Sequence, residues 1–180
     1  MMGAAVKQFA MALAAGVALA LAAPAAALAQ ENPREEAVRA VMVFNFLRFT
    51  EFPAVRSEDG RDIRLCVYVR GARQADALYE LEGRRVGKRT LRVMDFSASQ
   101  EDCQVLYVDT RQRWNGVAGH PRLANAMTIS EYAGFAQEGG LIEVDVARDG
   151  VHFDINLGLG RRTGFHFAPE LLRLARRIHE

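Results

Sequence analysis

The run Leu141-Ile142-Glu143-Val144-Asp145-Val146-Ala147, then Arg148-Asp149-Gly150, then Val151-His152-Phe153-Asp154-Ile155 decides the reading of this chain. Two β-rich stretches flank an Asp-Gly pair, a strong signal for a tight hairpin. Alternation turns Val151, Phe153 and Ile155 to one face and His152, Asp154 and Asn156 to the other. The polar face reads as a solvated one.

Working back from the hairpin, Ala126–Ser130 and Val105–Val108 read as apolar strands, and Arg111–Gly119 as a short helix holding the only Trp, Trp114. Thr90–Met94 is a strand fed by the basic turn Gly83-Arg84-Arg85-Val86-Gly87-Lys88-Arg89. That turn reads as a solvated tip, with Glu80 and Glu82 as neighbours. Gly71–Leu81 is a short helix after the strand Ile63–Val69. Pro33–Thr50 is a helix: Pro suits its first turn, and Glu35 and Glu36 suit the positive end of its dipole. Beyond the hairpin, a last helix begins near Ala168-Pro169-Glu170, with Leu171, Leu174, Ala175 and Ile178 as its apolar stripe. Helices alternating with strands predict a single α/β domain: a mixed β-sheet flanked by helices, with a C-terminal β-hairpin followed by a terminal helix.

Lys7 is the only charge before Glu31, and the apolar run Phe9–Leu21 leads to Pro24 and Ala27-Leu28-Ala29. This is the pattern of a signal peptide, residues 1–29, cleaved after Ala29 to leave a domain of residues 30–180. Its apolar run is shorter than the ~20 residues of a spanning helix, the alternative reading. No Cys at the cut supports a lipid anchor. The periplasm is the expected destination.

The 180 residues are 50% hydrophobic and 25% charged, which excludes disordered and low-complexity classes. The formal charge of +1 includes Lys7, so the exported chain is neutral. Nucleic-acid binding, which needs a basic excess, is not expected. The two cysteines, Cys66 and Cys103, favour a disulfide in an oxidising compartment; two separate buried thiols are the alternative.

The catalytic inventory is thin. His120, His152, His166 and His179 show no tight ligand spacing, and His152, Asp154 and Asn156 share only one strand face. No nucleophile elbow or phosphate-cradling loop occurs, and Gly158-Leu159-Gly160 follows a hairpin instead of opening a crossover. We expect no enzyme, no metal and no cofactor. Phe44, Phe46, Phe49 and Phe52 crowd one helix and its exit. Either the sheet covers them or they dock a partner, since aromatics concentrate at interface centres; the reading is part of each.

The segment Arg39–Pro53, with its Phe44-Asn45-Phe46 step and Phe52-Pro53 close, resembles the opening helix of the YfiR family. Gly134–Ile142, Val151–Leu157 and Leu171–Ala175 follow that family's closing pattern in order, and Leu81-Glu82-Gly83-Arg84 and the pair Cys66 and Cys103 fall where it has a Gly-Arg turn and two cysteines. The resemblance spans Glu35–Ile178. Phe52 stands where Trp is frequent, Asp154 where Glu is common, and Ala168-Pro169 replaces a Ser-rich entry to the last helix. A second cysteine pair is missing, so redox control through it is not expected.

The resemblance implies a periplasmic protein, often a homodimer, that binds the periplasmic region of a membrane diguanylate cyclase and represses it. It further implies capture by an OmpA-like outer-membrane lipoprotein. A different class remains open: a periplasmic small-ligand sensor, or an accessory binding module of an outer-membrane receptor system.

Overall fold

The computed structural model describes residues 33–53, 62–147 and 149–180; the expected signal peptide lies outside them. The elements are α1 (Pro33–Arg48), β1 (Thr50–Glu51), β2 (Asp62–Tyr68), α2 (Ala72–Tyr79), β3 (Arg85–Val86), β4 (Arg89–Asp95), β5 (Val105–Val108), α3 (Arg111–Val117), a 3₁₀ turn (Pro121–Leu123) and β6 (Met127–Ser130). They continue with β7 (Ile142–Ala147), β8 (Gly150–Asn156), α4 (Leu157–Thr163), β9 (His166–Phe167), α5 (Pro169–Leu174) and β10 (Arg177–His179).

One eight-stranded sheet runs β10-β8-β7-β6-β5-β2-β4-β3. Its middle, β4-β2-β5-β6-β7, is parallel, with the hairpin partners β3 and β8 antiparallel at the two sides. Strands inside such a sheet are covered on both faces and need apolar residues throughout. Val105-Leu106-Tyr107-Val108 and Met127-Thr128-Ile129-Ser130 are accordingly buried at every position. The mixed α/β architecture expected from the alternation of elements is the one observed.

The pleat sorts side chains between two cores. Leu65 and Val67 join α1, α2 and the hairpin in the larger core, with Phe46 edge-on to Phe153 at 5.1 Å. Cys66 and Leu106 face the other way, towards Trp114, Val117 and Phe135. Cys66 and Cys103 form a disulfide there, with Cα atoms 5.8 Å apart. Val108 shares this second core, because its side chain leaves the same sheet face.

The C-terminal end departs from the expected single helix. Helix α5 stops at Leu174, Ala175 turns extended, and β10 adds a parallel strand beside β8. Its stripe is divided: Leu171 is buried in the larger core with Ala175 packed against it, whereas Leu174 is 73% exposed and Ile178 42%. The Arg176 amide donates to the Phe153 carbonyl at 2.8 Å, and its side chain pairs with acids on the hairpin. Sheet pairing thus overrides the local helical period.

Helix α4 was not expected either, because two glycines oppose helix formation. Asn156 caps it by accepting from the Leu159 amide at 2.7 Å, and Gly164 ends it at φ 81°. Gly160 is needed for contact: a Cβ there would lie 2.8 Å from the Phe167 ring. β1 and β9 pair antiparallel, Thr50 opposite Phe167, and so bring the exit of α1 beside α5.

Candidate functional site

Helix α1 seats most of its circumference on the sheet and α2. Val43, Phe46 and Leu47 are fully buried, and Ala40 and Phe44 nearly so. The expected phenylalanine cluster is therefore divided. Phe46 belongs to the core, and Phe44 is 8% exposed beneath the Arg84 guanidinium. Neither offers a partner a free ring. Phe49 is 39% exposed, and Phe52 is half-buried, edge-on to Phe165 at 5.6 Å. Val41, 50% exposed, adds an apolar position on the outer side of α1.

Phe49 also forms one wall of a groove of about 360 Å³ lined by Arg48, Thr50, Glu51, His166, Phe167 and Pro169. The β1–β9 pairing makes this groove, so residues far apart in sequence meet there. Spacing along the chain held no signal for it.

At the opposite, carboxyl end of the parallel strands, β4 and β5 lie on either side of β2, which makes a topological switch point. Ligands of open α/β sheets commonly bind at such points. Here Asp109 bridges the crevice: its Oδ2 accepts from the Arg70 amide at 2.9 Å, and Arg113 Nε lies 3.4 Å from Oδ1. Beside it, Arg39 joins Glu36 and Glu131, each at 2.6 Å, while Gln74 donates to Glu131 at 2.7 Å and to the Tyr107 hydroxyl at 3.3 Å. Burial raises the Glu131 carboxyl above its ordinary range, against the pull of Arg39. Burial and the Glu131 charge push the Tyr107 hydroxyl well up. Burial alone would lower Arg39, but Tyr107, Glu131 and Glu36 outweigh it and leave the guanidinium raised. The arrangement ties α1 to the exit of β6, and α2 to that exit and to β5.

The alternating polar face of β8 is not a solvated one. Asp154 is 2% exposed and held by Arg176; Asn156 caps α4 and donates to the Ala136 carbonyl. The histidines do not converge. His120 caps the 3₁₀ turn, His152 lies 3.6 Å from Asp149, His166 is exposed, and His179 sits in β10. No group of three acidic, His or Cys side chains suited to a metal occurs among the described residues.

A family model described as YfiR/HmsC-like matches residues 36–176. A solved structure of a conserved domain protein from Vibrio cholerae O1 biovar eltor str. n16961 is similar at 11% identity and a TM-score of 0.48, over 79% of this chain and 60% of that one. A second, of an ABC domain in complex with L-Trp from Streptococcus pneumonia, is similar at 10% identity and a TM-score of 0.44, over 66% of this chain and 55% of that one. The chain thus spans about three fifths of the length of the first.

Proposed function

The chain belongs to the YfiR/HmsC-like family, and on that premise we propose that it represses a membrane diguanylate cyclase by binding the cyclase's periplasmic region. The family is one of periplasmic regulators of cyclic-di-GMP signalling, regulatory instead of catalytic. Among the described residues no helix is long and apolar enough to cross a membrane. Export with loss of residues 1–29 is part of the proposal.

One observation carries the docking site: Val41 on the outer side of α1 and Phe49 just past its end are large apolar side chains left exposed. Contiguous exposed apolar surface marks contact sites. The docking face comprises Val41, Phe49 and the half-buried edge of Phe52. Repression follows from preferential binding to the inactive cyclase conformation, which draws the equilibrium towards it. Release by an OmpA-like outer-membrane lipoprotein and action as a homodimer belong to the same proposal and rest on the family resemblance.

The test is capture from solubilised inner membranes on the immobilised mature protein, paired with cyclic-di-GMP measurement in a deletion strain. A captured cyclase and raised nucleotide in the deletion strain are expected. No cyclase and unchanged nucleotide would overturn the proposal. Small-molecule binding in the Phe49 groove without any membrane partner would instead favour a ligand sensor.

A further inference from the structure

Three of the α1 and exit phenylalanines are overlaid by guanidinium groups. Arg84 sits 4.2 Å from the centre of the Phe44 ring, with Arg48 on the same ring at 6.0 Å. Arg48 also lies 5.9 Å from Phe49, and Arg89 is 5.4 Å from Phe52. Arg85 and Lys88 project from the adjoining β3–β4 hairpin, both exposed. Their one mutual contact runs from Arg85 Nη2 to the Lys88 carbonyl at 3.4 Å. Arg48, Arg84, Arg85, Lys88 and Arg89 therefore gather on one side of the molecule.

Among the described residues, none of the five has a carboxylate within salt-bridge distance, although Arg39, Arg64, Arg111, Arg113, Arg161, Arg173 and Arg176 all do. Glu82, two residues before Arg84, is turned to the Val93 amide, and Asp62 meets Arg89 through its backbone carbonyl at 2.9 Å. Among the described residues this is a concentration of cations without a direct carboxylate partner. Stacking on aromatic rings holds guanidinium groups in place without neutralising them.

We propose that this edge adsorbs to an anionic phospholipid surface. Each Lys or Arg held near an anionic bilayer surface gains about 1 kcal/mol, so several clustered together can bind acidic headgroups. The β3–β4 hairpin lies at the outer edge of the sheet, and its exposed Arg85 and Lys88 are open to an extended surface. Adsorption would hold the protein at the bilayer, where a second, weak contact with a membrane-anchored partner gains from the raised local concentration. The lipid contact stands whether or not that partner is a cyclase.

The experiment is flotation of the mature protein with vesicles of phosphatidylcholine alone or with about one third phosphatidylglycerol. Binding is expected only to the anionic vesicles, with release in 0.5 M salt, where the Debye length falls to roughly 4 Å. Arg85→Ala with Lys88→Ala removes two exposed cations and should weaken partitioning about 30-fold, at about a factor of five for each charge. Arg111→Ala with Arg177→Ala, on α3 and on the β10 edge strand, should leave it unchanged. A thermal melt of each variant checks the fold. Equal binding to both vesicle types, equal loss from both variant pairs, or binding to soluble polyglutamate but not to vesicles would overturn the proposal.

Discussion

Arg176 grips both carboxylate oxygens of Asp154, Nε to Oδ1 at 2.8 Å and Nη2 to Oδ2 at 3.2 Å, from the residue just before β10. The same guanidinium reaches Asp145 at 3.1 Å and Glu143 at 3.7 Å. One side chain thus clips the C-terminal strand to the β7–β8 hairpin. Arg176→Ala leaves Asp154 buried and unpaired, and should destabilise by about 3 kcal/mol, since breaking a buried pair by removing one partner is strongly unfavourable. Urea unfolding measures this. Arg176→Lys, without the two-pronged grip, should recover only part of the loss.

The disulfide closes a loop of 37 residues. Constraint of the unfolded chain by such a loop contributes about 2 to 4 kcal/mol. Cys66→Ala with Cys103→Ala should lower the melting temperature by about 10 °C, using the scaling for a domain of this size. Reduction of the wild type should reproduce that shift and leave the double variant unmoved.

Phe46 and Phe49 are three residues apart and should answer to different assays. Phe46→Ala empties a fully buried position and should cost about 3 to 5 kcal/mol. Phe49→Ser alters a partly exposed side chain and should change stability by about 1 kcal/mol or less. Under the docking proposal it nonetheless weakens capture of the membrane partner. Calorimetry and capture on the same samples separate the two, and a Phe49 variant that unfolds would contradict this division.

Glu131 supplies a pH signature. Its folded carboxyl titrates above its ordinary value of 4.5 because burial disfavours the charge. Between 4.5 and that raised value the folded state holds the proton more tightly than the unfolded state. Its contribution to stability is therefore full below 4.5 and is lost as pH rises through the raised value. Glu131→Gln removes this dependence. The stability of wild type relative to the variant should fall across that window and level off above it. A difference that rises with pH would show that Arg39 outweighs burial.

The hairpin and parallel strands were legible because apolar alternation and fully apolar runs report burial directly. The disulfide pairing was favoured from cysteine count and compartment, and the register that places Cys66 beside the loop of Cys103 closes it. The phenylalanine cluster was legible as a cluster only. Which ring is covered depends on what the sheet and the Arg84 loop place over it. Helix α4 was obscured by glycines whose value lies in contacts with Phe167 and the chain end.

From the amino-acid order alone came the α/β class, the hairpin, the first helix and the likeness to a family of exported regulators, because these rest on local periodicity and turn chemistry. Tertiary structure decided that the chain ends in a strand, that Asp154 is buried under Arg176, and that Phe49 meets the His166 segment in one groove. Those outcomes depend on pairings between residues distant in sequence, where the free energy of a sheet ladder or buried ion pair outweighs the local preference of each segment.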